Sequence, residues 1–311
     1  MSHVKVDKLW VRYGKFDAVK NLSFQIPKGE VFGFIGPNGA GKTSTIKVMA
    51  TLVKPYRGDV KIAGHSVQVK PWNVRREIGY LPDFFGVYED LSVLEYLHFF
   101  AAAYQVPFKT RPRAIGDVLE LTDLSEKKDA LVDDLSRGMK QRLGLARLLL
   151  HDPGTLLLDE PASGLDPRAR IEMRELLKEL RGMGKTIIIS SHILSELAEL
   201  CTRIGIVEQG ELVAEGSLDE IYAKLDMRRT IHIQITNQTP EMLAEIASIN
   251  GVEDLLEDAD RLAVTLDEQA ISLEDFHAEL HHRIGARIRM FQAKAMDMES
   301  VFMKLTEGKV S

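Results

Sequence analysis

An α/β fold followed by a smaller α+β unit is what this sequence predicts, and three observations carry the prediction. Short apolar runs, "EVFGFI" ahead of Gly36, the stretch at 155–158 and "TIIIS", read as strands, the last as one buried on both faces, as in a parallel sheet. Segments with helical periodicity lie between them. After a change of composition near 217–230, the order strand, helix, strand, strand, helix, strand follows in shorter pieces.

Taken in order, residues 1 to about 80 read as strands and turns. "HVKVDKLWVRYG" and "NLSFQIPKGEVFGFIG" alternate or run apolar and are rich in Val, Phe and Ile, and "RGDVKIAGHSV" reads as a short hairpin. From about 92 to 150 the signal is helical. Ser92 and Glu95 make a capping-box pattern ahead of "YLHFFAAAY", and "RLGLARLLL" is apolar at helical spacing. A further helix runs through "ARIEMRELLKELRGMG". Beyond 220, "TIHIQITN" is a strand, "PEMLAEIASI" a helix and "VEDLLEDADRLAVTLD" two strands joined by a turn. The next helix, "SLEDFHAELHHRIG", has Leu273, Phe276, Leu280 and Ile284 on one face. A strand, "ARIRMFQA", and a last helix, "DMESVFMKLTEG", complete a split-βαβ pattern. The expected domains are therefore 1–220, with a helical part at about 84–150, and 221–311.

Composition narrows the function. The chain has 311 residues and a formal net charge of −6, which argues against a strong basic field and so against nucleic acid as partner. One cysteine, Cys201, cannot form an internal disulfide, and a reducing, cytoplasmic address fits. The stretch "MSHVKVDKLW" is charged and alternating and has no secretory h-region. No run approaches the roughly 20 apolar residues needed to span a bilayer, so any membrane work requires another chain. Glu274, His277 and His281 share a helical stripe beside His282, which reads as a solvated face rather than a metal site. Cys201 reads as a packed thiol.

The chemistry is concentrated in "GPNGAGKTS", from Gly36 through Pro37, Asn38, Gly39, Ala40, Gly41, Lys42 and Thr43 to Ser44. It fits G-x-x-x-x-G-K-[ST] between a strand and a helix. Glycines let successive N–H groups turn toward phosphate oxygens, and the helix adds the positive end of its dipole. Lys42 would neutralise the β- and γ-phosphates, and the Thr43 hydroxyl would ligate Mg²⁺. A mononucleotide is the expected ligand.

Three further stretches, "LSRGMKQRLGLAR" from Leu135, "LLLDEP" ending at Pro161 and "SSH" ending at His192, make the chain resemble the ATP-binding subunit of ABC transporters. The resemblance covers residues 3 to about 220 and implies a P-loop NTPase of ABC type: a RecA-like core with antiparallel β and helical subdomains, using ATP and Mg²⁺. It also implies roles. Tyr13 stacks on adenine. Asp159 holds Mg²⁺, Glu160 is the general base and His192 contacts the γ-phosphate. Asp166 belongs to a loop that speaks across a dimer. Ser136 and Gly138 meet the γ-phosphate of ATP held by a second subunit, homologous or identical, in a head-to-tail dimer with two shared sites. Arg137 and Met139 replace the first glycine and the glutamine of the family's LSGGQ, so its contacts to the sugar do not carry over. Asp83 stands where the family places a glutamine, and its oxygen suits Mg²⁺.

The aromatic stretch after Asp83 packs in part into the helical subdomain. Phe84, Phe85 and Tyr88 are expected to dock a polytopic membrane permease, which would hold the chain at the inner face of the membrane. The C-terminal unit resembles the tail of ATPases serving exporters of drugs, lipids, polysaccharides or ions. The rival reading is a soluble ABC ATPase acting on ribosomes or nucleic acid. Such proteins usually carry paired cassettes, long coiled-coil insertions or zinc-binding cysteines, whereas this sequence shows one cassette, no long heptad run and one cysteine.

Overall fold

The computed structural model describes residues 2–84, 86, 88–191, 197, 199–218, 220, 221, 229–258, 261–267 and 270–293. The chain forms two compact units, Met1–Leu218 and Asp219–Glu307.

The first unit begins with two long strands, β1 (Ser2–Tyr13) and β2 (Phe16–Pro27), joined by a two-residue turn. A buried strand, β3 (Val31–Ile35), runs into helix α1 (Lys42–Met49). The expected hairpin follows as β4 (Arg57–Ile62) and β5 (His65–Ser66), in the register Lys61↔Ser66 and Ile62↔His65. These strands make an antiparallel sheet in the order β2-β1-β4-β5.

Helix α2 (Pro71–Glu77) corrects the reading of this region as strands and turns alone. Only Val74 of its seven residues is buried, so it carries no apolar stripe for periodicity to detect. Strand β6 (Ile78–Leu81) comes next.

The helical part holds α3 (Val93–Ala103), α4 (Arg111–Leu121) and α5 (Arg137–Leu149). Ser92 and Glu95 form the expected capping box, each side chain bonding the other's backbone N–H. Strand β7 (Thr155–Asp159), helix α6 (Pro167–Gly182) and strands β8 (Thr186–Ser191), β9 (Arg203–Glu208) and β10 (Glu211–Gly216) complete the unit. The central sheet has the order β10-β9-β3-β8-β7-β6, parallel apart from the antiparallel edge strand β10.

Register sets where chemistry can happen. Ile35 lies beside Ser191, and Asp159 beside Ser190, so the carboxyl ends of β3, β8 and β7 line up along one edge. Ligands of open parallel sheets bind at that edge, because the loops that leave it are free to carry side chains toward one another.

The second unit contains β11 (Arg229–Ile235), α7 (Pro240–Ala247), β12 (Val252–Asp258), β13 (Arg261–Leu266), α8 (Leu273–Ile284) and β14 (Ile288–Ala293). Its sheet is antiparallel in the order β12-β13-β11-β14, the split-βαβ arrangement. Phe276, Leu280 and Ile284 of α8 pack on Ile231, Ile233 and Val264, as the helical stripe predicts. His277, His281 and His282 are exposed, His277 with its ring edge-on to Phe291 at 4.5 Å. The expected last helix, "DMESVFMKLTEG", lies outside the described residues.

Candidate active site

The phosphate loop leaves β3 and enters α1 with very little room around it. A Cβ on Gly36 would fall 2.2 Å from the Val207 carbonyl oxygen. Gly41, at φ +101°, would place one 2.5 Å from that of Ala18, so both space and backbone angle select glycine there. Lys42 is 6% exposed; its Nζ donates to the carbonyls of Gly36 (2.6 Å) and Pro37 (3.3 Å) and lies 3.7 Å from Glu160 Oε1. Burial draws this ammonium below the usual lysine value, while Glu160 and Asp159 oppose the shift. The lysine thus sits at the mouth of a helix N-terminus as a concentrated positive charge.

The two acidic residues are braced from the neighbouring strand. Asp159 ends β7 and is 1% exposed; its Oδ1 accepts from Ser190 Oγ (2.6 Å) and from Thr43 Oγ1 (3.1 Å). Glu160 has φ +51°, a left-handed conformation that costs a non-glycine residue on the order of 1–3 kcal/mol. Its backbone N–H donates to both the carbonyl and the hydroxyl of Ser190, each at 3.1 Å. One serine therefore fixes the backbone of the second acid and the side chain of the first. Sequence reasoning missed Ser190: of "SSH" it used only His192, which lies outside the described residues. The available signal was a hydroxyl near the end of a buried strand, next in line to "LLLDEP".

A pocket of about 370 Å³ opens over these groups, lined by Tyr13, Phe16, Ala18, residues 37–44, Asp83, Glu160 and Ser163. Most residues expected in the site thus come together. Phe16 was not expected. It is the direct cross-strand partner of Tyr13, so the two rings leave the same face of the hairpin at the pocket mouth. Behind the pocket, Tyr80 has its phenol pushed up to about 12, by burial first and then by the charges of Asp159 and Asp83. Thr43, Asp159 and Asp83 offer hard oxygen donors, a set that fits Mg²⁺.

Other expected residues lie outside this pocket. Ser136 is exposed and caps α5, its Oγ accepting from the Met139 N–H at 3.3 Å. Gly138 allows α5 to approach α6, since a Cβ there would be 3.0 Å from Ala169 Cβ. Asp166 caps α6, accepting from the Ala169 N–H at 2.9 Å. Phe84 is 88% exposed. Tyr88 is half-exposed and packs edge-on to Phe99 at 5.3 Å, while Phe85 lies outside the described residues. The Cys201 sulfur lies 2.7 Å from where a Gly33 Cβ would stand, and burial pushes its thiol pKa up, although part of the residue reaches solvent.

Among the described residues no helix is long and apolar enough to cross a membrane. Residues 19–163 match the family model described as ABC transporter. The chain is 31% identical over 298 residues to a linearmycin resistance ATP-binding protein of Bacillus subtilis, covering 94% of this chain and 95% of that one. It is 35% identical over 298 residues to a Nod factor export ATP-binding protein of Burkholderia orbicola, covering 95% and 94%. Its fold matches a dimeric ATP-binding cassette solved with ADP and phosphate, with a TM-score of 0.62, 26% identity, and coverage of 69% of this chain and 98% of that one. A phosphate loop facing two braced acids is the equipment of a nucleotide hydrolase, and the chain belongs to the ATP-binding subunits of ABC transporters, which hydrolyse ATP to power transport.

Proposed function

We propose that this chain is the motor subunit of an exporter, working as a head-to-tail dimer with two shared ATP sites and driving a separate polytopic membrane subunit. One observation carries the reading. The similarity to ATP-binding proteins named for export and for resistance runs through both units, over 94–95% of the chain. In this reading Lys42 and the α1 N-terminus receive the phosphates, and Tyr13 stacks on the adenine. Thr43 and Asp159, with Asp83, hold Mg²⁺, which neutralises phosphate charge when bound. Glu160 takes the proton of the attacking water, a contribution of roughly 10²–10⁴ in rate. His192 contacts the γ-phosphate. Ser136 opens a 13-residue helix and is exposed; with its oxygen capping the Met139 N–H, its hydroxyl hydrogen and the first N–H groups of the helix are the donors it presents to an anion held by a second subunit. The dimeric state of a similar cassette supports that arrangement.

Glu160→Gln keeps the shape of the side chain and removes its basicity. With ATP and Mg²⁺ this variant should run as a dimer in gel filtration, and as a monomer without them. Adding Ser136→Arg should abolish the dimer while the monomer still binds ATP. If Ser136→Arg also abolishes binding to the monomer, the serine acts within its own subunit and the shared-site model is wrong. Placement at the inner face of the membrane rests on the permease, docked through Phe84 and its neighbours. The tagged chain should therefore co-purify with a polytopic membrane protein, and Phe84→Ala should lower the yield of that complex without changing ATP binding. Recovery of ribosomes or nucleic acid instead would overturn the transport reading.

A further inference from the structure

Helix α5 reaches the loop behind Glu160 through two side chains four residues apart, which places both on one helix face. Gln141, 8% exposed, donates from Nε2 to the Pro161 carbonyl at 2.9 Å. Arg137 donates from Nη2 to the Ser163 carbonyl at 2.8 Å. Its guanidinium also lies against the next residue, since a Cβ on Gly164 would fall 2.3 Å from Arg137 Cζ. The loop is tied back to the acid itself, because the Ser163 N–H donates to the Glu160 carbonyl at 3.0 Å. Ser163 also lines the nucleotide pocket.

The left-handed backbone of Glu160 is costly and persists only where its surroundings over-determine it. Ser190 holds the N-terminal side of that residue. On the C-terminal side the restraint comes from α5. We infer that Arg137 and Gln141 form a two-point clamp that fixes the 160–164 loop and so aims the Glu160 carboxylate within its own subunit. They are positioning residues for hydrolysis. Arg137 stands where LSGGQ carries a glycine, which could not reach the loop, so this half of the clamp belongs to the present sequence. The inference rests on Glu160 as the base and goes beyond it by naming what aims that base.

The test uses the full chain with MgATP. Arg137→Ala should lower kcat about tenfold, while KM for ATP stays within about twofold and the melting temperature is nearly unchanged. Arg137→Lys should restore part of kcat, because an ammonium can still donate to the Ser163 carbonyl. Gly164 has φ +67°, so alanine strains the loop in either background; beyond that, Gly164→Ala should cost kcat more when Arg137 is present than in Arg137→Ala, where the guanidinium no longer occupies the space of the new methyl. Such coupling in kcat is what a double-mutant cycle isolates. Arg137→Ala with kcat within about twofold of the unsubstituted chain overturns the clamp. So does an equal cost of Gly164→Ala in both backgrounds, or a loss that follows melting temperature alone. Glu160→Gln serves as the control: undiminished turnover in that variant refutes the base itself, and the clamp with it.

Discussion

The two units of this chain are both built of strands and helices, but they differ in what they bury. In the first, polar residues such as Lys42, Gln141, Asp159, Thr155, Thr186 and Ser190 are buried within the core. In the second, the buried described residues are aliphatic or aromatic, from Ile231 and Ile233 through Met242 to Phe276 and Leu280. Burying a polar group costs free energy unless it finds a partner. Around its site the first unit meets that cost with bonds that run between elements, such as Ser190 to Asp159 and Gln141 to Pro161, whereas Glu208 Oε2 is buried without one among the described residues. The bonds of Asp159 and Ser190 lie along the carboxyl edge of the parallel sheet, where the chemistry lies, while Thr155 and Thr186 begin β7 and β8 at the opposite edge and bond His3 and the Gly29 N–H. The second unit has an antiparallel sheet with alternating burial, seen on β13, and an apolar core beneath its helices. The contrast teaches that bonded polar burial marks the catalytic unit, and that the other unit is organised by packing.

The largest expected effect tests the first half of that contrast. Lys42→Ala removes the buried cation from the phosphate cradle, and turnover should fall by at least about a hundredfold, with weaker ATP binding. The melting profile should keep both units folded. Wild-type affinity and hydrolysis would refute the assignment of the loop.

Next comes the packing half. Phe276 is fully buried in the second core, and Phe276→Ala should destabilise that unit by about 3–5 kcal/mol. Calorimetry should show one transition lowered, and a fluorescent ATP analogue should still bind. Loss of nucleotide binding together with the second unit would break the comparison, since the units would then share one stability.

The smallest effect sharpens it. Ser190→Ala leaves a well-packed strand but removes the hydroxyl shared by Asp159 and the Glu160 N–H. Stability should drop by about 1–3 kcal/mol, the scale of an unmade buried hydrogen bond. The kcat should fall by more than the KM rises, because the acids stay present and lose their aim. A change in stability with kcat intact would make Ser190 a packing residue after all.

Much of the site was legible because its physics is local. Gly36 to Ser44 bends, cradles and caps within a single turn of chain, and the apolar run before it announces the strand. The capping box at Ser92 and the stripe on α8 are of the same kind, each set by contacts within four residues. Helix α2 escaped because its exposed face carries no period.

What the sequence by itself determined, then, was the phosphate loop, the identities of the acids, the boundary between buried strands and amphipathic helices, and the strand–helix order of the second unit. Only the tertiary structure decided the partners of those residues. Ser190 meets Asp159 from 31 residues away, Gln141 meets Pro161 from 20, and Thr43 meets Asp159 from 116. Tyr13 and Phe16 pair locally across the β1–β2 turn, but that hairpin meets the phosphate loop only in the folded unit. The physical reason lies in the topology. In a parallel sheet each strand returns to its neighbour only after a crossover, so residues that share an edge have no fixed spacing along the chain. Their meeting is set by strand order and register, which the packed sheet fixes as a whole.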